Sequence, residues 1–371
     1  RIGEAFAVRR MDGDLGPGGR IGTNYTRSEH TSMYLSYVLD NERTVYGLPS
    51  GRGSEGNLVA GVKSRIADST SVFLEERYQH TATSTGLTHG TGISFAASDS
   101  WNMGLTTDIG TLQDIQTGAE TERFAGGVQL GFAGEQLQIS TGVEYRNDNV
   151  QQLDLGQNER KTWLYRNSFK YQMGPDGRLL GKFNHSNSES SLGTFFAGGY
   201  TEAVLGYAYR PVYNDRLNAL VKYTYFYNMP TTEQIGLQNI AAEFIQKSHV
   251  ASVDVTYDVT QNFSIGGKYA HRLGQVSLDR DNPVFFENNA NLYVVRGDYR
   301  LGKNWEVLIE GRILDMPDLH ESRMGGLATV SRYFGDHVKA GVGYNFTDFS
   351  DDLTDLSFDH SGFFLNLTGS M

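Results

Sequence analysis

Nine histidines are the residues most able to do chemistry in this chain: His30, His80, His89, His185, His249, His271, His320, His337 and His360. Imidazole titrates near neutral pH and serves as general base, nucleophile activator and metal ligand. None of the nine falls in an HExxH, GxSxG or Cys/His arrangement, the spacings that place two ligands on one helix face or a serine on a strained turn. His360 follows Asp359 and His320 precedes Glu321, but neighbours along a chain say little about catalytic geometry, and solvated loop residues are the expectation. The chain has no cysteine, which removes thiolate metal sites, thiol nucleophiles and a disulfide framework together. Asp348, Asp351, Asp352, Asp355 and Asp359 form an acidic run, within which Asp351, Asp352 and Asp355 are weak candidates for holding Ca2+ through carboxylate oxygens. The run lacks the glycine and closing glutamate of an EF-hand loop, and a solvated acidic loop is the plainer reading. No enzyme activity, cofactor or resident metal is expected.

Charge recurring at every second position is more informative. Lys63, Arg65, Arg77, Arg146, Arg166, Lys170, Lys182, Arg210, Lys222, Lys268, Arg272, Arg296, Arg300, Arg312 and Lys339 alternate with apolar residues. So do Glu75, Asp108, Glu144, Glu202, Asp254, Asp298, Glu306 and Glu310. In extended chain this puts about fifteen basic and eight acidic groups on one face. The net charge of the whole chain is −11, so the connections must hold most of the negative charge, and a nucleic-acid partner is not expected. Opposite charges on one face can pair across neighbouring strands and stabilise a wet wall; a surplus of Arg and Lys there also favours anionic or polar polymeric solutes.

The elements that position these charges are strands. In 216–228, Leu217, Ala219, Val221, Tyr223, Tyr225 and Tyr227 fall on one face, with Asn218, Lys222, Thr224 and Asn228 on the other. Ala251, Val253, Val255 and Tyr257 oppose Ser252, Asp254, Thr256 and Asp258 in the same way, and Trp305, Val307, Ile309 and Ile313 oppose Glu306, Glu310 and Arg312. Short polar turns at 67–69, 98–100, 174–177, 213–215, 260–261 and 302–303 join successive strands in pairs. Longer loops at 41–55, 113–120, 147–157, 230–247, 277–288 and 348–360 separate the pairs. Turns that alternate with loops in this way predict a single closed antiparallel transmembrane β-barrel, with periplasmic turns and extracellular loops. About twenty strands are expected (range about 18–22), each of about nine to thirteen residues, with an even total. Residues 1–10 would form the first and 361–369 the last, so that the whole chain, 1–371, is one barrel domain.

Aromatic residues support the same reading. Trp101 and Trp305 each open a strand directly after a short turn, and Tyr225 and Tyr227 crowd a strand end, as in an interfacial girdle. No run of eighteen apolar residues is present, so no transmembrane helix is expected, which leaves barrel strands untouched. A soluble sandwich would have strands averaging about five or six residues, and a propeller would repeat a shared signature; neither pattern is present.

Several stretches carry a resemblance: VGYNFTDFSDDLTDLSFDHSGFFLNLTGSM (342–371), VEYRNDNVQQ (143–152), YTEAVLGYAYRPVYNDRLNALVKYTYFYN (200–228) and KYAHRLGQVSLDRDNPVFF (268–286). Together they resemble the C-terminal outer-membrane β-barrel domain of long multidomain Gram-negative proteins. The resemblance implies an outer-membrane location and a barrel that anchors, or passes, upstream domains or a polymer. It also implies as partners outer-membrane lipid and lipopolysaccharide, the barrel-insertion machinery, and upstream domains of the same chain or a partner threaded through the lumen. One departure is that the chain ends Gly369-Ser370-Met371, with Phe363 and Phe364 further in, rather than in the terminal aromatic read at insertion. Arg1 stands in place of an initiating Met and no signal peptide is visible, so a mature or excised domain is expected. A diffusion porin or exporter with an anion-leaning polar lumen is the alternative, and an outer-membrane enzyme a distant one. A long loop folded into the lumen would favour the porin, and a threaded N-terminal segment the anchor. The segment 230–247 is the candidate constriction, since Ile235, Ile240, Phe244 and Ile245 have helical spacing.

Overall fold

Alternation of apolar and polar side chains leaves this chain one way to satisfy its backbone, strand against strand. The computed structural model describes residues 2–11, 14–40, 44–45, 48–49, 55–80, 84–115, 117–152, 156–192, 197–229, 245–279, 282–302, 304–335, 338–347, 349, 353 and 361–369. A 21-stranded antiparallel sheet contains the two-residue strand Phe286–Glu287, which leaves twenty long strands. They are β1 (Ile2–Met11), β2 (Asp14–Thr26), β3 (Thr31–Asp40), β4 (Glu55–Ala67), β5 (Thr70–His80), β6 (Ser84–Ala96), β7 (Trp101–Asp114), β8 (Glu120–Ala133), β9 (Leu137–Gln152) and β10 (Gly156–Gln172). The second half comprises β11 (Gly177–Ser190), β12 (Gly198–Tyr209), β13 (Leu217–Met229), β14 (Ile245–Asp258), β15 (Phe263–Ser277), β16 (Ala290–Leu301), β17 (Trp305–Met316), β18 (Glu321–Phe334), β19 (Val338–Asn345) and β20 (Gly362–Gly369).

Each long strand pairs with the next in sequence, and β1 lies alongside β20, so the two ends of the sheet meet. The fold is an all-β antiparallel barrel of the outer-membrane kind. Connections at one end are uniformly short: 27–30, 68–69, 97–100, 134–136, 173–176, 210–216, 259–262, 302–304 and 335–337. The strand ends that flank the long ones, 41–54, 230–244, 278–289 and 346–361, are all at the other end. Within 41–54, Thr44–Val45 and Leu48–Pro49 pair as a small separate ribbon.

The two faces of the sheet differ in kind. On β7 and β17 the outward residues include Leu105, Ile109, Ile309 and Ile313, and Ile309 is 62% exposed. Contiguous apolar surface of this extent would make a water-soluble protein aggregate; around a barrel it is the belt that meets lipid. The inner face holds the tightly covered side chains, among them Ser248, Val250, Leu292 and Arg312. Gly266 shows how closely this wall packs. A Cβ there would overlap the Arg296 side chain, which lies across it.

Two expectations need correcting. The segment 147–157 is mostly strand, since β9 reaches Gln152 and β10 starts at Gly156, and the loop expected over 113–120 is trimmed at its ends, since β7 reaches Asp114 and β8 starts at Glu120. The strands also exceed thirteen residues, with 16 in β9 and 17 in β10. The ladder runs on through Asn147↔Lys161, Asp148↔Arg160 and Asn149↔Glu159. These positions are polar on both faces. A hairpin standing clear of the lipid needs no apolar face, and its hydrogen-bond ladder leaves no alternation to read.

Candidate functional site

Strand pairing places the charged residues by parity, and it brings opposite charges within reach across neighbouring strands. Arg77 of β5 pairs with Glu75 on its own strand, and its guanidinium reaches Asp108 of β7 at 2.9 Å. Glu144 of β9 accepts from Arg146 at 3.0 Å and from Arg166 of β10 at 3.5 Å. Arg123 of β8 donates to both carboxylate oxygens of Asp148, at 2.7 and 3.1 Å, the bidentate geometry that suits guanidinium and carboxylate. On the opposite arc, Arg296 of β16 reaches Asp254 of β14 at 2.8 Å, and Lys268 faces the same Asp254 in the register. Glu306 of β17 accepts from Lys339 and from the Tyr333 hydroxyl, each at 2.7 Å, with Arg300 directly opposite in the ladder. Arg312 pairs with Glu310.

The other candidates divide into smaller groups. Lys63 and Arg65 share the inner face of β4, where the Arg65 guanidinium donates to His30 Nδ1. Lys170, Lys182 and Lys222 line one groove of about 650 Å³ in the inner wall. Arg210 lies beyond the end of β12, and with Arg300, Glu306, Asp258 and Asp298 it lines a polar cavity of about 540 Å³ at the short-turn mouth. The girdle residues face outward. Trp101 packs on Phe132 with ring centroids 4.9 Å apart, and Trp305 lies under the Arg332 guanidinium at 5.2 Å. Tyr225 packs on His249 at 5.0 Å, and Tyr227 shares its face near the long-loop end. Asp351, Asp352 and Asp355 lie outside the described residues, as does 230–244, most of the expected constriction.

A different segment reaches the wall. After β19, Phe346 N–H donates to Gly326 O at 2.7 Å and Thr347 Oγ1 to the same carbonyl at 3.2 Å. Gly325 leaves the space for Thr347, whose Oγ1 stands where a Cβ would fall. Phe349 and Leu353 then pack against Val250 of β14, Ala270 of β15, Ala290, Leu292 and Val294 of β16, and Leu314 and Met316 of β17. Phe349 is 2% and Leu353 5% exposed. The Arg272 guanidinium holds the segment from the side, donating to Leu353 O at 3.4 Å and to Asn288 Oδ1 at 3.1 Å. Burial of the two side chains stabilises this docking by about 1.5–3 kcal/mol each.

Phe349 and Leu353 fall within the acidic 348–360 stretch, which by sequence reads as a solvated loop. A signal for them was nevertheless present on the strands. Val250, Leu292, Val294 and Leu314 are apolar residues clustered at inward positions of a largely polar face, a patch that favours an apolar cover.

No family model matches the chain, and no curated protein matches it. Its fold is similar to solved transport barrels. The copper transporter OprC has TM-score 0.56 at 8% identity, over 93% of this chain and 67% of that one. The FrpB iron transporter of Neisseria meningitidis has TM-score 0.54 at 10% identity, over 89% and 66%. The siderophore receptor PiuA of Acinetobacter baumannii has TM-score 0.54 at 8% identity, over 98% and 73%. At such identities the likeness is one of fold.

Proposed function

We propose that this chain is a solute conduit in the outer membrane of a Gram-negative bacterium, passing polar solutes through its lumen and favouring anions. Sixteen to eighteen strands already leave an aqueous channel, and roughly twenty-two enclose a lumen that other barrels plug. Twenty strands fall between these, too wide for wall side chains to fill. The observation that carries the proposal is the docking of Phe349 and Leu353 on the inner faces of β14–β17, which narrows the passage in the half nearer the long loops. The Arg- and Lys-rich wall supplies the anion preference, and its ion pairs keep that wall wet and ordered. The neighbours bear the names of transporters and a receptor, in keeping with a transport role. Liposome swelling tests the proposal. Proteoliposomes should admit small sugars and organic acids, and the double variant Phe349→Ala/Leu353→Ala should admit larger ones at a higher rate. Impermeable proteoliposomes for both proteins would contradict it.

An anchor for upstream domains, as in the C-terminal barrels of long outer-membrane proteins, is the second reading. What favours it is that β1 begins and β20 ends at the short-turn side, away from the long loops. A preceding domain would then have to enter the lumen from the periplasmic end to reach the cell surface. Attachment of a folded reporter ahead of Ile2 separates the two: a conduit leaves it in the periplasm, while an anchor displays it to protease added outside intact cells.

A further inference from the structure

The groove in the inner wall runs from β7 to β13, and its β10–β13 end has a construction that general wall charge does not require. Lys170, Leu180, Gly206 and Lys222 follow one another in register across four adjacent strands. Lys182 and Val204 sit side by side in the next row, two residues further from the short turns. The two end lysines therefore stand roughly 14 Å apart along the row, at about 4.8 Å per strand. Between them the floor is apolar, made by Leu180, Val204 and Leu220. Gly206 forms its low point, for a Cβ there would already touch Leu220 and Leu180 at 3.8 and 3.9 Å. The charged residues that line the groove are lysines; Lys182 is paired with Glu202 of β12 at 2.8 Å, and Lys170 and Lys222 stand at the two ends. The cavity at the short-turn mouth differs, with arginines and carboxylates together.

Lysines around an apolar floor suit a ligand with both a charge and a hydrocarbon part. A bare inorganic anion would gain nothing from Leu180, Val204 and Leu220, and a neutral apolar molecule nothing from the ammonium groups. We infer that the groove is a binding subsite for small amphiphilic organic anions, compounds with a carboxylate or phosphate head on a short aliphatic or aryl body. The head lies at a lysine and the body along the floor over Gly206. The subsite rests on the conduit reading for the route by which such a ligand arrives, while its own chemistry is local to these four strands.

Equilibrium binding tests it without any flux, using the barrel in lipid nanodiscs with empty nanodiscs as blank. Saturation-transfer NMR with hexanoate should give saturable binding. Propionate, which has the head but little body, should bind about tenfold more weakly, since each buried methylene contributes to affinity. Hexylammonium should not compete. Lys170→Gln/Lys222→Gln should lower hexanoate affinity about tenfold, and Gly206→Leu, which fills the floor and leaves the charge intact, should abolish it. Equal affinities for propionate and hexanoate would overturn the inference in favour of a plain anion site, and wild-type affinity in both variants would overturn it outright. A barrel that conducts without binding hexanoate contradicts the subsite alone. One that binds without conducting supports the subsite and contradicts the conduit.

Discussion

Arg123 and Asp148 show what an individual pair does in this wall. Asp148 is 4% exposed and takes both donors of a guanidinium from the neighbouring strand. Asp148→Ala leaves Arg123 with its charge desolvated and uncompensated, so it should cost about 1–3 kcal/mol in reversible urea unfolding. Glu159→Ala, whose partner Lys161 stands on the outward face of the same hairpin, should leave the midpoint where it was, because an exposed pair contributes little. Equal losses would mean that burial does not set the value of these pairs. The outer face obeys the opposite rule. Ile309→Arg puts a charge in the lipid belt and should cost about 2–4 kcal/mol. Ser264→Arg faces inward between Asp258 and Asp298 in the register, and should fold with little loss. If the two cost the same, the assigned facing is shifted by one residue.

Elements differ in how plainly their residues announce them. β13, β14 and β17 are legible because lipid on one side and water on the other impose a strict two-residue period, and any sequence that satisfies both must display it. The hairpin of β9 and β10 loses that period where it leaves the lipid, so Asn147–Gln152 looks like a loop although its hydrogen-bond ladder continues. The segment after β19 is obscured for another reason. Its carboxylates dominate the composition, while the two residues that dock, Phe349 and Leu353, find partners on β14–β17 far away in sequence. Parity along a strand gives the face on which Lys222 or Arg296 stands, but which carboxylate each one meets depends on register between strands, as with Arg296 and Asp254 across β15. The same docking leads to a prediction for the element. Phe349→Ala/Leu353→Ala should release the segment and raise single-channel conductance, with the fold unchanged by circular dichroism. Conductance equal to that of the native barrel would place the narrowest point elsewhere.

At the scale of the whole molecule, charge is divided between wall and connections. The chain carries a net charge of −11, yet its inner face bears Lys170, Lys182, Lys222, Arg272, Arg296 and Arg312, and carboxylates there are engaged by Arg and Lys on the same or nearby strands. On the proposed conduit reading, a permeating ion would meet a field opposite in sign to that of the molecule as a whole. The field acts over roughly the Debye length, about 10 Å at 0.1 M salt and about 3 Å at 1 M. The measurement that tests this most directly is the reversal potential of the purified barrel in a planar bilayer under a KCl gradient, repeated as salt is raised on both sides. The reversal potential should lie toward the chloride equilibrium potential and move toward zero as salt screens the wall. A potential toward potassium at low salt, or no open conductance at all, would contradict the account.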